Sequence, residues 1–431
     1  MKEQENRERE QELQDVPSIL EKRRLLPGDR VLWVIVAMFF AISMVVVYSA
    51  CSQLGFKDGS TTEYLQKHIM TLGLSAGILF GCYMLGARFM RRFTWIAYVV
   101  SWIMTLLPYF QPPINGAHRW LDLGFFMFQP SELLKIATIM LLAARLSALH
   151  HRIKQVRLLP STFDVRKWGS GREREIILDE IIPVVSPIAF TCMVILPDAT
   201  SSAVHIYMAS LTLLFIAGIK LREILKLLGA SALMATIMLS VLVMFDADRL
   251  DTIKSRVMAW AGVQKESQGR VQSVMDKYTD SERSRMAIHN GGLFGVGAGR
   301  SVMRARLTHP ESDYIFAIVV EEFGLLLAFV IVLLYLWLFF RALRIFEKCT
   351  WLYAGLLVVG LALLVTSQGF LHIGVNIGAI PETGQNLPFL TQGRTSMFCA
   401  SIAVGVILSI SRQVEQGTLV PPSQSAKDKE I

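Results

Sequence analysis

Ser312-Asp313-Tyr314-Ile315-Phe316-Ala317 places one carboxylate where a long polar stretch (246–312) gives way to an apolar run from Tyr314 to Phe340. A carboxylate at such a border either caps a helix or belongs to a site at the membrane surface. Within hydrogen-bond reach of a hydroxyl it could act as a base. Glu132 and Lys135 stand i,i+3 just inside another apolar stretch and can pair on one helix face. Ionisable residues in a membrane helix default to a functional reading, and a purely structural ion pair is the alternative. Asp198, in Leu196-Pro197-Asp198-Ala199-Thr200-Ser201, reads most simply as a helix cap. Arg283, Arg285, Arg300, Arg304 and Arg306 gather around Asn290-Gly291-Gly292-Leu293-Phe294-Gly295-Val296-Gly297-Ala298-Gly299. They form either a solvated surface or an anion site for a lipid diphosphate. The glycines lack the Gly-Lys-Ser/Thr ending of a phosphate loop, and permit a tight, re-entrant backbone path instead. In the segment from Ile380 to Ser396 two prolines and two glycines break any helix. Thr395 and Ser396 then open a helix whose N-terminus can hold an anion.

These residues need a membrane scaffold. The chain has 431 residues, 53% of them hydrophobic and 18% charged, with a mean hydropathy of +0.45. That composition fits an all-α polytopic membrane protein and excludes an ordinary soluble enzyme. Ten apolar stretches can each cross a bilayer: 31–52, 68–87, 93–110, 130–149, 179–197, 201–219, 224–245, 313–341, 352–374 and 395–412. Residues 1–30 are charged, so a cleavable signal peptide is not expected and the first span is the targeting element. Basic groups at Arg23/Arg24/Arg30, Arg88/Arg91/Arg92, Arg152 to Arg174, Lys220/Arg222/Lys226 and Arg341/Arg344/Lys348 all fall on one side if ten helices are right. The positive-inside rule makes that side cytoplasmic, with both termini inside. The net charge of +8 is then mostly a topology signal and gives no reason to expect nucleic acid. Organisation follows: a cytoplasmic tail (1–30), a membrane domain (31–412) with its large outer loop at 246–312 between the seventh and eighth helices, and a polar C-terminal tail (413–431). Outer segments 111–129, 246–312 and 376–394 are long enough to be functional. The five cysteines, Cys51, Cys82, Cys192, Cys349 and Cys399, show neither a disulfide framework nor zinc spacing and read as packing residues.

Four blocks, in order, carry a resemblance. They are Asn115-Gly116-Ala117-His118-Arg119-Trp120 with Gln129-Pro130-Ser131-Glu132-Leu133-Leu134-Lys135; Pro197-Asp198-Ala199-Thr200; Gly291 to Ser301 with His309-Pro310-Glu311-Ser312-Asp313 and on to Gly324; and Pro381 to Ser396. Together they resemble the SEDS family, the FtsW/RodA/SpoVE membrane proteins of bacterial cell-wall synthesis. The compact glycine stretch before Asp313 looks more like division-type FtsW than elongation-type RodA. His118, Leu196, Ala199-Thr200-Ser201 and Arg394 depart from the usual pattern.

The resemblance implies polymerisation of lipid II into glycan strands at the outer face of the bacterial cytoplasmic membrane, at the division septum. It implies Asp313 as the catalytic residue; Arg119, Glu132, Lys135, Asp198, Arg300, Arg304 and Arg306 are the candidate substrate-binding residues, the arginines for the diphosphate. It also implies a class B penicillin-binding protein as crosslinking partner, beside other divisome membrane proteins. The acceptor hydroxyl would need a base, and the leaving diphosphate would need arginines or a divalent cation, Mg²⁺ or Mn²⁺. Nearby arginines are expected to depress the pKa of Asp313, which would make it a weaker base and leaves open a metal-holding or acceptor-orienting role. A lipid II flippase and a division scaffold are the competing classes. A flippase would put its ionisable groups at mid-membrane and show inverted repeats; here they gather outside, and no repeat is visible.

Overall fold

In a computed structural model of the chain, residues 26–58, 61–112, 118–122, 124, 126–160, 171–245 and 278–419 are described. The N-terminal tail to residue 25, Asn115-Gly116-Ala117, Arg166 and Lys167, the outer loop at 246–277 and the C-terminal tail from 420 lie outside the described residues, as does the Cys51 side chain.

Each apolar stretch lies within or largely overlaps a helix. The helices are α1 (Arg30–Asp58), α2 (Thr61–Met84), α3 (Ala87–Leu106), α4 (Pro130–Ala148), α5 (Ile182–Ile195), α6 (Thr200–Ala217), α7 (Leu221–Phe245), α8 (Asp280–Gly291), α9 (Ile315–Lys348), α10 (Leu352–Asn376) and α11 (Arg394–Glu415). All but α8 correspond to expected spans. Among the described residues seven helical segments are long and apolar enough to cross a membrane. The one at α4 is not among them, since Glu132, Lys135 and Arg145 sit within its 19 residues. Several helices outrun their apolar stretches, because a helix satisfies its own backbone and can continue into the interface on polar residues.

Local chemistry sets the ends. Pro130 opens α4 in its first turn, where the missing N–H costs nothing. Gly218 closes α6 in the left-handed region, φ 100°. Thr279 and Glu282 cap α8 reciprocally: the threonine hydroxyl accepts from the Glu282 amide, and the Glu282 carboxylate accepts from the Thr279 amide. The first outer segment forms a small antiparallel ribbon, Leu121–Asp122 against Met127–Phe128. Strands of two residues are too short to show an alternating pattern in the sequence.

The helices divide into core and shell. In α11 and α10, 83% and 78% of the apolar window is buried inside the protein, against 28% in the segment containing α3. Helices α10 and α11 therefore form the centre and α3 lies on the outside. At one end Arg341 pairs with Asp29, and Arg412 donates to the Met84 carbonyl oxygen. This is the end the charge pattern assigns to the cytoplasm. The Asp313 turn lies at the other end.

The eighth span is not one continuous helix. Gly324 breaks α9 with φ 79° and ψ 175°. The glycine-rich loop packs there backbone to backbone. The amides of Val296 and Gly297 donate to the carbonyls of Glu321 and Glu322 at 2.9 and 3.0 Å, and the Leu325 amide donates to Gly292 at 3.0 Å. A Cβ at Gly295 would lie 2.2 Å from the Glu322 carbonyl oxygen. Only glycine allows that approach, which gives the loop the tight backbone path its glycines lead one to expect.

Candidate functional site

Asp313 ends a turn that starts at His309, a residue with φ 54°. The amides of Ser312 and Asp313 both donate to the His309 carbonyl at 3.1 and 3.0 Å. The N-cap of α9 is Tyr314, with no side-chain capping bond, so Asp313 does not cap the helix. Its backbone is held from α10: Asn376 Nδ2 donates to the Asp313 carbonyl oxygen at 3.1 Å. Next to it the Tyr314 hydroxyl donates to Glu382 at 2.5 Å, tying the turn to the last outer segment.

The electrostatics correct an expectation from sequence. Burial is the largest influence on Asp313 and pushes its carboxyl above the ordinary aspartate value. His309, Arg119 and a Ser312 hydrogen bond pull the other way, and Glu311 adds to the rise. Desolvation outweighs the attraction of the neighbouring cations. A raised pKa makes the carboxylate a stronger base.

Arg119 joins the outer segments. It acts on Asp313, its guanidinium lies over the Trp120 ring at 5.8 Å, and Nη1 is 3.9 Å from where a Cβ would sit at Gly384. A small pocket beside it is lined by Arg119, His118, Ser131, Asp198 and Tyr109. Asp198 is therefore brought to Arg119. It does not cap α6, whose N-cap is Ala199 without a side-chain bond. One carboxylate oxygen of Asp198 is buried and has no hydrogen-bond partner among the described residues.

Beneath this mouth Glu132 and Lys135 pair at 2.8 Å with Lys135 fully buried. Lys135 also donates to Gln368 Oε1 at 3.2 Å, and Gln368 Nε2 donates to the Asn386 carbonyl at 3.1 Å. The pair thus supports the 381–393 segment from below. Gln385 donates to Ser202 at 2.7 Å and His372 bonds the Gln385 carbonyl at 2.7 Å. These partners were not singled out in the sequence, because neutral polar residues in an apolar run carry no spacing signal.

The outer-loop arginines do not act together. Arg300 and Arg306 are exposed, and neither is among the groups that act on Asp313. Arg304 is a correction to the expected diphosphate contact: it is buried and ion-paired with Glu322, and it donates to the Ser49 carbonyl. Ser49 in turn donates to Glu322, and Ser301 donates to Glu321. The amides of Val302 and Met303 complete the Glu321 carboxylate at 3.2 and 3.4 Å. Glu321 and Glu322 read in the sequence as part of a span. In the structure they anchor the outer loop at the α9 break, and both carboxylates are hydrogen-bonded as their burial requires.

The profile of the family described as "Cell cycle protein", FtsW/RodA/SpoVE, matches residues 29–416. The chain belongs to this family. Among FtsW/RodA/SpoVE proteins it is similar to the "Probable peptidoglycan glycosyltransferase FtsW" of Coxiella burnetii, with 26% identity covering 92% of this chain and 100% of that one. It is also similar to the protein of the same name from Thioalkalivibrio sulfidiphilus, with 31% identity covering 74% and 72%. Stage V sporulation protein E of Bacillus subtilis is 27% identical over 89% and 97%. The fold matches rod shape determining protein RodA of Thermus thermophilus at a TM-score of 0.56, 22% identity, covering 90% of this chain and 98% of that one. A chain from a structure described as "Structural coordination of polymerization and crosslinking by a peptidoglycan synthase complex" matches at 0.60 and 20% identity over the same shares. The chain is thus a multi-pass membrane protein of the FtsW/RodA/SpoVE fold.

Among the described residues no group of three or more His, Cys, Asp or Glu is placed to hold a metal ion.

Proposed function

We propose that the Asp313 site joins two lipid-linked disaccharides. The chain is a peptidoglycan glycosyltransferase, and its substrate is lipid II at the outer face of the bacterial cytoplasmic membrane. The acceptor's GlcNAc 4-hydroxyl attacks the anomeric carbon of the donor's MurNAc, and its proton passes to Asp313. The bond to undecaprenyl diphosphate breaks with the electron pair leaving on the diphosphate, and direct displacement inverts the anomeric centre. Arg119 stands where it can meet the diphosphate charge, since a guanidinium fork matches phosphate oxygens. The observation that carries this reading is a half-buried carboxylate with a raised pKa beside an arginine, at the outer mouth of a membrane protein. A flippase reading is less well supported, because the ionisable groups gather at the outer end and not at the bilayer centre. A class B penicillin-binding protein is the crosslinking partner we propose, with septal division as the setting and a RodA-like elongation role as the alternative. Lipid II polymerisation by the purified protein with that partner, wild type against Asp313→Ala, tests the assignment.

The arginines should separate in the same assay. Arg119→Ala is expected to lower kcat/KM about 10- to 100-fold, the loss of one or two charge-assisted hydrogen bonds. Arg119→Lys should keep part of the activity. Arg300→Ala and Arg306→Ala should cost only about 2- to 5-fold, shrinking with added salt as exposed charges are screened. Arg304→Ala should instead reduce the amount of folded protein. Unchanged kinetics in Arg119→Ala would place the diphosphate elsewhere, with Arg394 at the start of α11 as the next candidate.

A further inference from the structure

Asn376 is the last residue of α10 and is fully buried against the Asp313 turn. Its carboxamide is used in full. Nδ2 donates to the carbonyl oxygens of Asp313 and His372 at 3.1 and 2.9 Å, and Oδ1 accepts from the Ala317 amide at 3.0 Å. Its own carbonyl accepts from the buried Ser284 hydroxyl at 2.8 Å, which fixes it to α8 as well.

The two groups that Asn376 bridges are not arbitrary. The Asp313 carbonyl and the Ala317 amide are i and i+4. In a continuing α-helix they would bond directly to each other. The helix does start one residue later, where the Ile318 amide donates to the Tyr314 carbonyl at 3.2 Å. A side chain that inserts into the i to i+4 ladder opens it. Asn376 accepts from the amide and donates to the carbonyl, so neither group loses by staying apart.

We propose that Asn376 is a positioning residue for Asp313: its carboxamide stands between the Asp313 carbonyl and the Ala317 amide and holds the Asp313 turn out of α9. Without it the ladder closes by one more bond. The Asp313 Cα–Cβ direction then turns with the helix. This inference rests on the reading of Asp313 as the base. It assigns Asn376 no contact with substrate.

The test is steady-state lipid II polymerisation by the full-length protein with its transpeptidase partner, for Asn376→Leu, Asn376→Gln and Asp313→Asn. Leucine has a similar volume and no polar atoms, leaving the amide free to close on the carbonyl. For Asn376→Leu, kcat should fall about 10- to 100-fold, the scale of a misplacement near 1 Å. KM should stay within about twofold of wild type, as should the amount of protein in the membrane. Asn376→Gln, which keeps both groups one methylene further out, should recover part of kcat. Ser284→Ala, which leaves the carboxamide in place, should lose at most about threefold. Wild-type kcat in Asn376→Leu beside an inactive Asp313→Asn would overturn the proposal alone. So would failure of both Asn376 variants to accumulate, since that would make Asn376 a residue of the fold and not of the site. An active Asp313→Asn would remove the base itself, and the proposal with it.

Discussion

Asp313→Asn abolishes polymerisation while the protein still accumulates and still binds its partner. That is the expected result, and the loss should be about 10²- to 10⁴-fold, the usual contribution of a positioned base. Asparagine keeps the shape and cannot take a proton. Two further readouts follow from burial, which holds the Asp313 pKa above its ordinary value against the pull of His309 and Arg119. The base must be ionised to work, so the rate is lost as pH falls through that raised pKa. The acidic limb of the wild-type profile should therefore lie above the ordinary aspartate value of about 3.9. The sign for stability is opposite to that of a salt-bridged carboxylate. A folded pKa above the unfolded one means the native state holds the proton more tightly. Stability is then lost as pH rises between the two values, and at neutral pH the ionised Asp313 is a cost. Asp313→Asn should unfold at the same or a higher temperature than wild type. Near-normal polymerisation by Asp313→Asn would sink the base assignment, and marked destabilisation would show that the carboxylate holds the turn together.

Lys135→Ala and Glu132→Ala should each destabilise the protein by about 3–5 kcal/mol, because either leaves an uncompensated buried charge. Lys135 is fully buried and Glu132 nearly so. The lysine variant should be the worse for activity. Lys135 alone reaches Gln368, whose amide holds the Asn386 carbonyl, so its loss also frees the last outer segment above it. The charge swap, Glu132→Lys with Lys135→Glu, should recover more stability than activity. It restores the pair, but a carboxylate at 135 must turn the Gln368 amide round to be satisfied. Thermal unfolding in detergent and lipid II polymerisation, measured on the same four preparations, check both parts. Single variants that melt like wild type would mean the pair is solvated and incidental.

Much of this was legible before any coordinates, and the reason is range. The membrane helices follow from apolar runs, which are local. The Glu132–Lys135 pair follows from i,i+3 spacing on one helix, and the start of α4 from Pro130 in its first turn. The placing of Asp313 at a membrane border follows from one change in composition. The four ordered blocks pointed to the FtsW/RodA/SpoVE family, and the match over residues 29–416 agrees. What the sequence could not decide depends on contacts between distant residues. Arg304 is an exposed arginine by composition and a buried one by structure, because Glu322 and the Ser49 carbonyl, 255 positions away along the chain, receive it. Asp198 reads as a cap and instead lines a pocket with Arg119. Gly324 sits in an apolar run that looks continuous, yet the glycine-rich loop meets it backbone to backbone and breaks α9 there. The basicity of Asp313 turned on a balance of desolvation against charge, and sequence counts charges but not buried area. Asn376, 63 positions from Asp313, looks like the end of a helix until the fold sets its carboxamide against that turn.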